Sequence, residues 1–131
     1  MKRLTKENPI GDLEIALNLF FIKGEEVWVR GGGDSPDFPD VSLPRFIRKA
    51  AKTLQPDLEL PQDDMELGFV MNELLFDGPD EPTGLIALLY TAAWSYAELR
   101  HKLMRYENTG LSPEQCAALA KADKEGLHER L

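Results

Sequence analysis

The residues with the most chemistry to offer are cations, and they come in clusters. Arg45, Arg48, Lys49 and Lys52 recur at three- and four-residue spacing, so a helix there carries them on one face without an acid among them. Arg100, His101, Lys102 and Arg105 form a second cluster, and Arg30 closes the run Glu26-Val27-Trp28-Val29-Arg30. An arginine fork gives paired, charge-assisted hydrogen bonds to phosphate oxygens, whereas lysine offers a point charge. Trp28, Phe76, Tyr90 and Trp94 are flat apolar plates on which a base can stack. The expected chemistry is capture of a small phosphorylated ligand, with Arg30, Arg45, Arg48, Phe76, Arg100 and Arg105 as the binding residues. Each group also has an ordinary structural use. Cations near a helix end are favoured by the dipole, basic faces pair with acids, and aromatics fill cores.

Other chemistries find less support. His101 and His128 are separated by a helix break, and Cys116 is the single cysteine, so no metal-ligand spacing is present in the sequence. Cys116 beside a helix start has no histidine placed to activate it and reads as a small structural hydrophobe. Asp63, Asp64 and Glu66 suit the first turn of a helix better than acid–base work. Gly31 to Ser35 after a strand is a weak phosphate cradle, because it lacks the lysine and hydroxyl spacing of a Walker loop. No catalytic residue, metal site or cofactor is assigned.

The formal net charge is −8, which argues against wrapping a nucleic acid polymer. Lysine and arginine are missing between Lys52 and Arg100, a span rich in acids from Asp57 to Glu98. With 43% hydrophobic and 29% charged residues in 131, the composition is that of one ordinary globular domain with a single core. The first residues lack the apolar run of an export signal, no apolar stretch is long enough for a membrane span, and a lone cysteine suits a reducing compartment. A cytoplasmic protein without membrane partners is expected.

The elements that must position the cations follow from periodicity. After a polar arm to Gly11, Leu13, Ile15, Leu17, Leu19 and Phe21 alternate, which predicts a strand paired through Lys23-Gly24-Glu25 with the strand around Val27 and Val29. Gly31 to Pro39 is a loop. A helix is predicted from Ser42 to Leu54 with Leu43, Phe46, Ile47, Ala50 and Leu54 inward, and another from Pro61 to Phe76 capped by Asp63 or Asp64. The longest helix is predicted from Thr83, as its cap, to Glu107. Leu85, Leu89, Ala92, Tyr96, Leu99, Leu103 and Tyr106 follow a heptad stripe on it, and Ile86, Tyr90, Ala93 and Ala97 a second row. The stripe continues beyond the second row, which predicts self-association through the far half. Asn108-Thr109-Gly110 ends that helix, and Ser112-Pro113-Glu114-Gln115 starts a weakly amphipathic last one. The expected fold is α+β and mostly helical, one domain with a core over 12–107 and a helical extension over 108–131. A small N-terminal hairpin packs on a helical-bundle homodimer.

The string Tyr106-Glu107-Asn108-Thr109-Gly110-Leu111-Ser112-Pro113-Glu114-Gln115 resembles a C-terminal motif of small phage and prophage proteins of Firmicutes, and Lys2-Arg3-Leu4-Thr5 is similar to their opening. Residues 12–107, with IALNLFFIKGEEVWVRG and MNELLFDGPDEPTGLIALLYTAAWSYAELRHKLMRYE, resemble the first-type Thoeris anti-defence family. That resemblance implies a phage protein that acts as a sponge in the host cell, binding a cyclic ADP-ribose type signal without cleaving it. It also implies a helical dimer or larger oligomer. The rival readings are an acidic inhibitor that mimics nucleic acid against a host defence protein, and an enzyme acting on the nucleotide.

Overall fold

The computed structural model describes residues 2–32 and 39–130, with side chains through Gly126. Its elements in order are α1 (Asp12–Leu17), β1 (Phe20–Lys23), β2 (Glu26–Val29), β3 (Val41–Ser42), α2 (Leu43–Leu54), α3 (Asp64–Leu74), a 3₁₀ turn (Leu75–Asp77), α4 (Pro82–Glu107) and α5 (Pro113–Arg130). The fold is α+β and mostly helical, with a small antiparallel sheet and one long helix.

The alternating run does not form one strand. Its first half is α1, and only Phe20 onward is extended. Asn18 ends α1 and is fully buried among polar partners, so the chain turns there instead of continuing in register. The hairpin itself is as expected. Lys23 pairs with Glu26, leaving a two-residue turn in which Gly24 (φ 58°) and Glu25 (φ 69°) both lie in the left-handed region. Such turns match the right-handed twist of the flanking strands. Val27 and Val29 face the core, and β3 pairs outside β2, with Trp28 opposite Ser42.

Helix α2 starts one residue after Ser42 and buries Leu43, Ile47 and Ala51, while Leu54 stays exposed. Helix α3 begins at Asp64 rather than Pro61, and the Asp63 side chain caps it by accepting from the Met65 N–H. Thr83 does not cap α4. Glu81 holds that position without a side-chain bond, and the Thr83 hydroxyl donates instead to Asp77 at 2.6 Å, tying the 3₁₀ turn to the helix start. Gly84 is required at this crossing, since a Cβ there would lie 1.8 Å from the Gly78 carbonyl oxygen.

Helix α4 is the spine of the core, and its buried side is not the heptad stripe. Ile86, Ala87, Tyr90, Ala93 and Ala97 face the sheet, α2 and α3, their small side chains letting neighbours approach closely. The stripe residues Leu85, Leu99, Leu103 and Tyr106 are exposed, whereas Leu89 and Tyr96 turn partly inward. Past Gly110 (φ 75°), Ser112 and Gln115 exchange hydrogen bonds at 2.8 and 3.1 Å, the reciprocal cap written in the sequence. Helix α5 then leaves the body, exposed along its described length except at the half-buried Cys116 and Gly126.

The N-terminal arm is stitched along the far half of α4. Glu107 accepts from the Leu4 and Thr5 N–H groups at 2.8 Å and from the Thr5 hydroxyl at 2.6 Å, and Arg3 reaches Asn108 at 2.8 Å. The opening Arg3-Leu4-Thr5 and the pair Glu107-Asn108, far apart in the chain, therefore meet in one joint.

Candidate functional site

A cleft of about 590 Å³ opens between the sheet and the first half of α2. Leu19, Val29, Val41 and Phe46 supply an apolar wall, while Arg30, Arg45 and Lys49 bring cations to its rim. Helix periodicity sets Arg45 and Lys49 one turn apart on the same side of α2, and the end of β2 carries Arg30 to them. Gly31 and Gly32 line the cleft with backbone, and the Gly31 N–H donates to Asp40 Oδ1 at 2.7 Å, drawing the loop ends together. The rest of the proposed phosphate cradle, from Gly33, lies outside the described residues.

These cations are not equally available. Arg30 donates from Nε to the Asn18 carbonyl at 2.8 Å and from Nη1 to the Glu7 carbonyl at 3.1 Å, and its guanidinium carbon lies 4.6 Å from the Phe21 ring centre. These contacts orient it, and among the described residues Nη2 is left to donate. Arg45 and Lys49 are exposed and make no ion pair among the described residues. Among the described residues lining this rim Asp40 is the acid, and its carboxylate accepts from the Gly31 N–H. An apolar wall with fixed and movable donors suits a ligand that combines a ring system with phosphate.

The remaining expected binding residues sit elsewhere. Arg48 pairs with Asp64 at 2.9 Å and donates to the Pro61 and Gln62 carbonyls, fastening α2 to the approach to α3. Arg100 is buried, donating from Nε to Asn18 Oδ1 and from Nη2 to the Lys6 carbonyl, each at 2.9 Å. Burial and, after it, the nearby charge of Arg30 lower the Arg100 pKa. Phe76 is 93% exposed on the 3₁₀ turn and does not line the cleft. Arg105 belongs to a shallow depression with Lys102, Tyr106 and Thr109 near the end of α4. Tyr90 is core, accepting from the Trp94 indole at 3.1 Å, and Trp28 lies under the Lys23 ammonium.

Asn18, which residue pattern alone does not single out, organises this region. Its side-chain oxygen accepts from the Lys6 N–H and Arg100, and its amide donates to the Leu4 and Glu14 carbonyls at 2.9 and 2.8 Å. A lone asparagine between Leu17 and Leu19 in an apolar run was the available signal. Phe46, expected only as core, also forms part of the cleft wall. Among the described residues, no group of three histidine, cysteine or carboxylate side chains comes together to hold a metal, and no helix is long and apolar enough to cross a membrane. Protein-family models, curated proteins and solved structures offer no match to this chain.

Proposed function

We propose that this protein binds and holds a small phosphorylated ligand of the cyclic nucleotide class in the cleft between β2 and α2. The observation that carries the reading is the grouping of Arg30, Arg45 and Lys49 around an apolar wall that includes Phe46. A protein of net charge −8 that gathers cations at a concave apolar site favours a compact anion over a nucleic acid polymer. The side chains lining the cleft supply cationic donors and apolar surface, with the Asp40 carboxylate turned to the Gly31 N–H, a set suited to holding phosphate oxygens. A sponge for a cyclic ADP-ribose type immune signal, acting in the host cytoplasm on behalf of a phage and working as a homodimer, is the biological form of this reading. Calorimetric titration with cyclic ADP-ribose, followed by heat denaturation and chromatography of the released ligand, tests it. Intact ligand returned from a saturable complex supports the sponge. Altered ligand would mean an enzyme. Absence of binding to cyclic ADP-ribose and to a panel of cyclic dinucleotides would overturn the reading.

The acidic-inhibitor reading has its own observation. Asp57, Glu59, Asp63, Glu66, Glu73, Asp80 and Glu81 are all exposed, a chain of carboxylates open to a basic partner. Loss of partner inhibition on neutralising these acids, with the cleft intact, is the outcome that would favour it.

A further inference from the structure

The side of α4 turned away from the core is apolar, and its pattern is a palindrome. Leu85, Leu88, Ala92, Leu99, Leu103 and Tyr106 are all exposed. Their spacings run three, four, seven, four, three, so each residue has a counterpart equally far from the midpoint between Ser95 and Tyr96. Leu85 mirrors Tyr106, Leu88 mirrors Leu103, and Ala92 mirrors Leu99. At 1.5 Å per residue the stripe is roughly 32 Å long. The buried row Ile86, Tyr90, Ala93, Ala97 lies on the other side of the same helix, so the core does not cover the stripe.

We infer that this stripe is the seam of an antiparallel homodimer whose two-fold axis passes beside Ser95. The inference rests on the homodimer reading above and specifies its geometry. An isologous interface needs residue i to meet j and j to meet i, and the palindrome satisfies this in one antiparallel register only. Ser95 is small and exposed where the helices would approach closest. Met65 and Phe69 of α3, 72% and 63% exposed, border the groove beside Ser95 and widen the apolar area.

Charge selects the same orientation. The N-terminal end of α4 is acidic, with Asp77, Asp80 and Glu81 exposed, and the C-terminal end carries exposed Lys102 and Arg105. In the palindromic register, Arg105 of one copy stands level with position 86 of the other, near the turn that Asp77 ties to Thr83. Antiparallel pairing brings acid to base at both ends, whereas parallel pairing sets like charges together.

The test uses the full chain on a Cys116→Ala background, so that an introduced thiol is the single one. Sedimentation of the wild type at micromolar concentration is expected to give a dimer. Leu99→Asp with Leu103→Asp should raise its dissociation constant roughly 100-fold or more, with circular dichroism unchanged because both positions are exposed. Ser95→Cys should cross-link to itself on oxidation or with a short bis-maleimide. Leu88→Cys and Leu103→Cys should link when mixed and not when alone. Self-linking of Leu88→Cys would overturn the antiparallel register while leaving a dimer. A monomeric wild type would overturn the dimer altogether, including the case in which the chain's own α5 folds over the stripe. Cyclic ADP-ribose titration of the same samples separates either failure from failure of the ligand reading.

Discussion

Arg100 and Asn18 are 82 positions apart in the chain and share a buried hydrogen bond of 2.9 Å. Around it the N-terminal arm, α1, the start of β1 and the far half of α4 become one polar joint. Asn18 is fully buried, and both its side-chain oxygen and its amide are engaged. The joint also fixes one wall of the cleft, because Arg30 donates to the carbonyl of the same asparagine.

Asn18→Ala is expected to destabilise the protein by about 3 kcal/mol or more, since several buried groups lose partners at about 1–3 kcal/mol each. Arg100→Ala should act on stability in the same way, and Arg100→Lys should not restore it, because an ammonium cannot span both acceptors with arginine's geometry. Chemical denaturation measures both. Either variant folding with wild-type stability would contradict the assignment of Arg100 as structural.

Arg45 and Lys49 are expected to govern ligand affinity without touching the core. Arg45→Ala should weaken capture by roughly 10- to 150-fold, the equivalent of about 1.5–3 kcal/mol for a hydrogen bond to a charged group. Lys49→Ala should cost less and mainly at low salt. Arg48→Ala should instead lower the melting temperature while leaving affinity close to wild type, as its donors face Asp64 and the Pro61 and Gln62 carbonyls. Titration and melting curves of the three variants check this division.

Glu107 makes stability depend on pH. Burial raises its pKa, but hydrogen bonds from Thr5 and Leu4 and the charge of Arg3 outweigh this and hold it below the ordinary 4.5. A carboxyl depressed in the folded state adds stability that is complete above its unfolded value and is lost as pH falls through the folded one. Wild type and Glu107→Gln, compared by denaturation from about pH 7 to about pH 3, should differ most at neutral pH and converge in acid. A constant gap would contradict the sign.

Gly84→Ala is expected to be severely destabilising or to shift the start of α4, despite alanine's better helix propensity. Its Cβ would overlap the Gly78 carbonyl, a backbone atom that cannot rotate away. Gly126→Ala in α5, where a Cβ meets nothing within 4 Å, should instead be neutral or slightly stabilising. Paired melting curves of the two variants provide the check.

By itself the sequence determined what local chemistry can determine. The Gly24-Glu25 turn, the inward Val27 and Val29, the basic face of α2, the Asp63 cap and the reciprocal cap at Ser112 and Gln115 are all short-range consequences of residue type and spacing. Tertiary structure decided everything that depended on a distant partner. Alternation from Leu13 to Leu17 favours a strand, with a short helix as the lesser alternative, and the burial of Asn18 against Arg100 selected the helix. Leu85, Leu99 and Ile86 are equally good core candidates by pattern; close packing of Ala87, Ala93 and Ala97 against the other elements chose which row went inside. The arginines diverged for the same reason. Arg45 stayed at the cleft while Arg48 and Arg100 found carboxylate, amide or carbonyl partners across the fold, and a side chain's partner across the fold cannot be read from its own neighbours in the chain.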